Sequence, residues 1–451
     1  MAVRADTIYA LSSGAGLAGV SVVRVSGPDA DAVLAALGVS PLPEARYAAL
    51  HKLRRDVDMG DDEPPLDQAL VLRFPAPGSF TGEAVAELHV HGGRAVLAAV
   101  FDAISGTGLA RHAEPGEFTR RAFENGKLDL TAAEGLADLV AAQTDAQRRL
   151  ALRQYDGALA DLYEGWRARL IDLMGYAEAE IDFSDEELPA GLKAGTEARI
   201  AALNAELAQH IVGADRGEHI RSGFPIVILG APNVGKSSIL NHLAQRDAAI
   251  VSEVAGTTRD VIEVQLNLGG YAVTLSDTAG IRAASDAIEA EGVRRAEQRA
   301  ADAALRLVVL DATVGTVPGK VRALIAGDCL VVANKGDLLN GKYTAPDLPH
   351  GVVPVLVSAE TGDGLDGLLA RLTDYVRDRL DASGAPLPTR QRHREALAEA
   401  NAALANVPDA AYPELAAEDV RVALRALGRI TGRVDIDEIL DTVFRDFCIG
   451  K

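Results

Sequence analysis

The sequence predicts an α/β chain with an added all-helical part, and three textures along it support this. Short β-rich runs mixed with one or two helical patterns fill residues 1 to 120. Long Ala, Leu, Arg, Glu and Asp segments without strand signals follow. Strands alternating with helices return at Pro225 and run to Asp381, before a last helical stretch. Alternating strands and helices imply a parallel sheet with crossover connections, whereas uninterrupted helical periodicity implies helix on helix. With 48% hydrophobic but only 4% aromatic residues, the core should be built from Ala, Leu and Val.

Each part follows from its residues. In residues 1–120, TIYAL, VSVVRVSG, ALVLRF and AVAELHVHGG read as strands, and ADAVLAALG and RAVLAAVFDAIS as helices, giving a compact α/β module. In residues 121–215, Leu130, Leu136, Leu139, Val140 and Leu150 fall near helical spacing, as amphipathic helices require. In residues 216–380, IVILG, AVTLSD, LRLVVLD, CLVVANKGD and VVPVLVSAE are the expected strands of a parallel sheet. After the flexible DASGAPLPTRQ, residues 381–451 return to helical periodicity and end in CIGK. Two helical blocks flanking an α/β block suggest that the latter is inserted into one helical domain whose halves pack together.

Composition narrows the function classes. The formal charge of −20 repels a phosphate backbone unless basic residues gather locally, so an RNA substrate would need a partner to supply much of the grip. Two cysteines, Cys329 and Cys448, cannot make a disulfide framework, which fits a reducing compartment. No apolar run is long enough to span a membrane, and Asp6 interrupts the stretch where a signal peptide would be apolar, so a soluble cytoplasmic protein is expected.

GAPNVGKS, residues 230–237, satisfies the phosphate-loop pattern G-x-x-x-x-G-K-[ST] directly between a predicted strand and a helical run. Its backbone N–H groups and the helix N-terminus cradle phosphates. Asn233, Val234, Gly235, Lys236, Ser237 and Ser238 are therefore expected around the nucleotide, with Lys236 on the β and γ phosphates and Ser237 on Mg²⁺. NKGD supplies Asn334, Lys335 and Asp337 for a guanine, whose two-donor edge Asp337 accepts, and Ser358, Ala359 and Glu360 close the base pocket. DTAG supplies Asp277, Thr278, Ala279 and Gly280, with Asp277 contacting Mg²⁺ through water. GTTRD supplies Gly256, Thr257 and Thr258, the last as second Mg²⁺ ligand. Ile281 stands where many signalling GTPases have a water-orienting Gln; Arg259 and Arg282 are either finger candidates or solvated charges.

Read end to end, DTIYAL, VVRVSG, SFTGEAVAELHVHGG, EPGEFTRRAFENGKLDLTAAEGLADL, AEIDFSDEELP, IVSEVAGTTRD, EAEGVRRA and the final FCIGK closely resemble the MnmE (TrmE) family of tRNA modification GTPases. The resemblance implies an N-terminal tetrahydrofolate-binding and dimerisation module, and a helical domain holding an inserted P-loop (Ras-like) G domain. It implies a K⁺-dependent GTPase in which Asn233 and Thr257, with the carbonyls of Ser252 and Val254, coordinate K⁺, while Glu253 and Ala255 complete the loop around GTP. It assigns the water-orienting glutamate to Glu289; from the residues alone Glu289 is an ordinary helix surface charge. It also implies a homodimer that joins a flavin-dependent MnmG-type partner in a heterotetramer acting on tRNA.

For the N-terminal module the resemblance implies a pocket for a 5,10-methylene- or 5-formyl-tetrahydrofolate lined by Arg24, Glu87 and Lys127, with Lys451 nearby. Glu87 could take the donor edge of a pterin ring, while Arg24 and Lys127 could meet carboxylates or the pterin carbonyl; without the resemblance Arg24 and Glu87 read as strand-face charges. The turn before VRVSG has Ser21 where the family commonly has glycine. Glu87, His89 and His91 alternate along one predicted strand, so a shared face and a metal site are imaginable, though no further ligand cluster is visible. Cys448 is either a small buried hydrophobe or a functional thiol near the folate; Cys329, in CLVVA, is the former. The expected activity is thus GTP hydrolysis coupled to addition of a carboxymethylaminomethyl or aminomethyl group at C5 of the wobble uridine, position 34, of certain tRNAs. The alternative is a ribosome-assembly or RNA-chaperone GTPase of the Era or Der kind, which a basic KH-like or second G domain would mark.

Overall fold

The computed structural model describes residues 6–14, 16–55, 64–182, 192–245, 263–277, 303–341, 343–381, 384–434, 440, 443–444, 447 and 450. It divides into two compact units, each assembled from separate pieces of chain. One comprises Met1–Ala137, Gln154–Thr196 and Ala402–Lys451, the other Asp138–Arg153 and Glu197–Asn401. The α/β plus α class read from the sequence is the class observed.

The first unit holds a six-stranded sheet of β1 (Thr7–Leu11), β2 (Ser21–Ser26), β3 (Ala49–Leu53), β4 (Asp67–Phe74), β5 (Val85–Val90) and β6 (Ala110–His112), in the order β3-β4-β5-β2-β1-β6. Only the β1–β6 pair is parallel. Side chains alternate across a strand, so Val23 and Val25 of β2 and Ala86, Leu88 and Val90 of β5 share one face. There they join Val33 and Leu34 of α1 (Ala30–Ala36) and Val100 and Ile104 of α2 (Arg94–Gly106) in one buried core. The opposite face carries Arg24, Glu87 and His89. Strands β3 and β6 were not singled out in the sequence.

Helices follow in order: α3 (Glu117–Glu124), α4 (Leu130–Ala141), α5 (Asp145–Tyr155), α6 (Ala158–Asp182), α7 (Leu192–Val212) and α8 (Ala214–Ser222). Asp129 caps α4, its carboxylate accepting from the backbone N–H groups of Thr131 at 2.7 Å and Ala132 at 3.1 Å. Leu130 and Leu150 are buried as their spacing requires; Val140, expected on the same stripe, is exposed in the last turn of α4.

The second unit is organised by another six-stranded sheet, of β7 (Phe224–Gly230), β8 (Glu263–Leu268), β9 (Tyr271–Asp277), β10 (Leu305–Asp311), β11 (Cys329–Asn334) and β12 (Val355–Leu356), in the order β12-β11-β10-β7-β9-β8. The sheet is parallel except for β8, which runs antiparallel to β9. That strand is a correction: EVQLNL was not among the expected strands. The Leu268–Tyr271 pair closes over Gly269 and Gly270, both at positive φ (60° and 92°), a turn whose twist suits a two-residue hairpin. VVPVLVSAE shrinks to the two residues of β12. Central β7 and β10 are buried along nearly their whole length, as parallel strands covered on both faces must be. Strand β7 pairs with β9 on one side and β10 on the other, the point where chain order reverses and where open α/β sheets bind ligands beyond their carboxyl ends.

Helices α9 (Lys236–Ala244), α10 (Gly319–Arg322), α11 (Leu365–Leu380), α12 (Gln391–Asn406) and α13 (Pro413–Thr431) complete the described helices. In the first unit α13 packs along α6, burying Val420, Ala423, Leu427 and Ile430; Thr431 and Arg433 both bond Glu164 of α6. Phe444 and Phe447 lie against Leu130 and Ala133 of α4.

Candidate functional site

The loop between β7 and α9 is shaped by close approach. Gly230 (φ 148°) would set a Cβ 2.4 Å from the Val309 carbonyl oxygen, and Gly235 (φ 94°) would set one 2.1 Å from the Asn334 amide nitrogen. Only glycine fits such positions. Asn233 also has positive φ, 62°, a conformation Asn tolerates better than most residues, and its side chain is exposed. The chain then enters α9, whose N-terminus presents unpaired N–H groups and the positive end of the helix dipole.

Lys236 is 8% exposed and donates to the carbonyls of Gly230 at 3.1 Å and Ala231 at 3.0 Å. Burial pulls its pKa down, and the charge of Asp277 works against that shift. Asp277, 2% exposed at the end of β9, accepts the Ser237 hydroxyl at 2.6 Å. A cation and two hard oxygen donors therefore stand at one phosphate-binding loop, a combination suited to a phosphate ester with a divalent ion.

The base motif is built into the same fold. Asn334 donates from its amide to the Val234 carbonyl at 2.9 Å and accepts from the Ala359 N–H at 2.9 Å, so it ties the phosphate loop to the segment after β12. Its second amide hydrogen remains for a purine. Asp337 is exposed and accepts the Ser358 hydroxyl at 2.5 Å, which fixes the orientation of its carboxylate. Lys335 (φ 70°) pairs with Asp311 at 2.7 Å.

The second constellation lies on the open face of the N-terminal sheet. Arg24 and Glu87 are register partners across β2 and β5, and Arg24 donates from Nε at 3.1 Å and Nη2 at 2.9 Å to Glu87 Oε1. The guanidinium lies 5.4 Å from the Phe80 ring centroid and 5.8 Å from that of Phe118. His89 Nε2 is 3.4 Å from Glu87 Oε2. Lys127 donates to the Pro77 carbonyl at 3.0 Å, and its stem lies beside Gly82, on the loop that carries Phe80. The three residues expected to share a face do not: β5 ends at Val90, and His91 turns to Asp67, its Nδ1 at 2.7 Å. The backbone N–H of His91 also bonds Asp67, at 2.7 Å.

Two family profiles match this chain: "MnmE helical domain" over residues 130–448 and "GTP-binding protein TrmE N-terminus" over residues 7–127. Among similar proteins, the tRNA modification GTPase MnmE of Rhodospirillum rubrum is 53% identical over 99% of both chains. That of Parvibaculum lavamentivorans is 53% identical, covering 99% of this chain and 100% of its own. The chain belongs to the MnmE family of tRNA modification GTPases.

Within this MnmE-family chain, Asn233, Val234, Gly235, Lys236, Ser237, Ser238, Asp277, Asn334, Lys335, Asp337, Ser358, Ala359 and Glu360 fall at the carboxyl end of the second sheet, in its strand ends, the segments beyond them and the first turn of α9. Arg24, Glu87 and Lys127 fall around the open face of the first. Ser252, Glu253, Val254, Ala255, Gly256, Thr257, Thr258, Thr278, Ala279, Gly280, Glu289, Cys448 and Lys451 lie outside the described residues, as do Arg259, Ile281 and Arg282. Cys329 is half-buried in β11, and burial raises its pKa, as for an inert thiol.

Sequence reading missed a largely buried ionic network in the unit that holds the second constellation. Arg121, 3% exposed, bonds Asp6, Glu83 and Glu117, and Arg111 bonds Asp6 and Glu117. Glu83 also accepts the Ser26 hydroxyl at 2.7 Å. FTGE and EPGEFTRR carry these residues, but nothing in their spacing announces pairing with Asp6.

Proposed function

We propose that the chain hydrolyses GTP in a K⁺-dependent reaction and, with an FAD-dependent MnmG-type partner, adds a carboxymethylaminomethyl or aminomethyl group at C5 of uridine 34 in certain tRNAs, with a tetrahydrofolate one-carbon unit. The observation that carries the reading is the meeting of Ser237 and Asp277 at 2.6 Å beside a loop that Asn334 ties to the base motif. The exposed carboxylate of Asp337, oriented by Ser358, suits the two N–H donors of guanine and leaves adenine unmatched.

The residues present fit the expected ions and cofactor. Ser237 is an oxygen donor of the kind Mg²⁺ takes, Asp277 beside it would reach the ion through water, and Thr258 would be the second protein ligand. Asn233 holds an exposed amide on the phosphate loop for K⁺, with Thr257 and the carbonyls of Ser252 and Val254. Bound there, the two cations supply fixed positive charge against the charge that develops on the phosphates. Lys236 neutralises phosphate oxygens, and Glu289 orients the attacking water. Neither needs a glutamine after DTAG.

For folate, the Arg24–Glu87 pair offers a carboxylate and a guanidinium side by side, with the half-buried Phe80 ring near the guanidinium, a surface suited to a pterin; Lys127 meets its carboxylates. Bound there, the folate supplies the one-carbon unit. Ser12, directly after β1, donates to the Gly450 carbonyl at 2.6 Å, which anchors the residue between Cys448 and Lys451 in sequence order close to Ala10, the register partner of Arg24.

The dimeric reading draws on the same sheet face, where Leu50 (62% exposed) and Leu70 (38%) face each other across β3 and β4. In this reading residues 1–120 bind folate and dimerise, 121–215 and 381–451 are halves of one helical domain, and 216–380 are the G domain; a heterotetramer with the partner holds the tRNA, to which a chain of charge −20 contributes little grip. No helix among the described residues is long and apolar enough to cross a membrane, and a cytoplasmic location is proposed. The test is mass spectrometry of total tRNA nucleosides from a deletion strain, together with hydrolysis rates in KCl and NaCl. Wobble uridines that lack the modification in the deletion strain and regain it when the gene is returned, and a rate that needs K⁺, are expected; normal wobble uridines in the deletion strain would sink the proposal.

A further inference from the structure

One ion pair of the second unit joins Lys335 of the base motif to Asp311, a residue outside every nucleotide motif read from the sequence. Asp311 ends β10 and pairs in register with Asn334 at the end of β11, so it stands beside the start of the base motif. The Ala312 N–H donates to the Asn334 carbonyl at 2.8 Å and fixes that relation. Both oxygens of Asp311 are used. Oδ1 accepts from the Thr313 N–H at 2.9 Å and its hydroxyl at 2.6 Å, while Oδ2 accepts from Lys335 Nζ at 2.7 Å. The pair is largely shielded, with side chains 17% and 32% exposed. Burial raises the pKa of Asp311, but the bonds from Lys335 and Thr313 more than offset this, so the carboxylate stays charged in neutral solution.

We propose that Asp311 is a positioning residue for the nucleotide: by holding Lys335 Nζ, it keeps the lysine stem ordered before the purine arrives. The inference rests on the guanine-nucleotide reading. Each member of the base motif is then held by a partner outside the motif: Asn334 by Val234 and Ala359, Asp337 by Ser358, and Lys335 by Asp311. A lysine stem is long and flexible, so an unanchored one loses rotamer freedom when a ring packs on it. An anchored stem has lost it already, which strengthens binding and slows release. The left-handed backbone at Lys335 makes the anchor more important, because it orients the side chain from a conformation seldom occupied by lysine.

The test is the dissociation rate of mant-GDP from the full-length chain. Asp311→Asn keeps an acceptor for Thr313 and loses the charge that holds Lys335; release about tenfold faster is expected, the value of one charged hydrogen bond, with the change in GTP turnover falling on KM. In a Lys335→Met background the same substitution should add nothing. Should Asp311→Asn fail to fold, Asp311→Ser removes the same charge in a smaller side chain. Unchanged release from a folded variant, with or without a lower melting temperature, overturns the inference, as do effects that multiply in the double variant. A wild-type chain that does not retain mant-GDP overturns the guanine reading and the inference with it, whereas retention with unaltered release in the variant overturns the inference alone.

Discussion

The hydroxyl of Ser237 and the carboxylate of Asp277 come from two separate motifs and meet at 2.6 Å, closing the gap between the first turn of α9 and the end of β9. The contact defines where a divalent ion would be held, and it draws the Asp277 charge toward the buried Lys236 ammonium. Ser237→Ala removes the proposed Mg²⁺ ligand without adding bulk. Hydrolysis of GTP at saturating Mg²⁺ should fall about 100-fold, in line with losing one preorganised electrostatic contact. Phosphate release assays decide this, and a wild-type rate in the variant would contradict the assignment.

Two glycines with nearly equal backbone angles make a controlled pair. Gly235 has φ 94° and no room for a Cβ beside Asn334; Gly270 has φ 92° and nothing within 4 Å. Gly270→Ala should cost only the left-handed backbone term, about 1–2 kcal/mol. Gly235→Ala adds a clash inside a close-packed site, so it should cost at least about 1 kcal/mol more and abolish mant-GDP binding. Urea unfolding and nucleotide titration of both variants check this; equal losses would mean that the Asn334 contact constrains nothing.

Much of the second sheet was legible because buried parallel strands leave continuous apolar runs such as FPIVILG and LRLVVLD. Strand β8 was legible too, and was missed: Val264, Leu266 and Leu268 alternate ahead of the two glycines of the hairpin. Strands β3 and β6 gave weaker signals, one alternating around His51 and Lys52 on a sheet edge and the other only three residues long. The phosphate loop and NKGD are local motifs, so their residues could be named from spacing. Asp311, Glu83 and Arg121 could not, because each acts through a partner that only the tertiary fold brings near.

At the N-terminal site the Arg24–Glu87 pair makes a separable prediction. Glu87→Gln keeps the shape and a hydrogen-bonding oxygen but loses the charge that both Arg24 and a pterin donor edge would use. Binding of 5-formyl-tetrahydrofolate should weaken at least tenfold, roughly the value of one charge-assisted bond. GTP hydrolysis should be unaffected, since the substitution lies in the other unit. Calorimetric titration with the folate and a hydrolysis assay on the same preparation check both halves; unchanged folate affinity would remove Glu87 from the site.

The second unit should lose stability as pH falls through the histidine range, and His210 supplies a large part of the reason. Burial, helped by the nearby charge of His393, pushes the pKa of His210 down from 6.5 to about 4. His219 shifts in the same direction through burial, opposed by Asp215 and Glu218. The unfolded chain therefore binds protons at His210 between those two values that the folded chain refuses, so the contribution is complete above pH 6.5 and is lost as pH falls toward 4. From the size of the shift, His210 alone should remove about 2 kcal/mol by about pH 5. The carboxylate of Asp311, whose pKa is lowered by Lys335 and Thr313 against the effect of burial, acts in the same direction at lower pH. A difference measurement isolates the histidine. Between about pH 7.5 and 5, urea unfolding of His210→Gln should show a smaller loss than the wild type by roughly that amount. Parallel pH profiles for the two proteins would mean that His210 takes up its proton as readily in the folded chain as in the unfolded one.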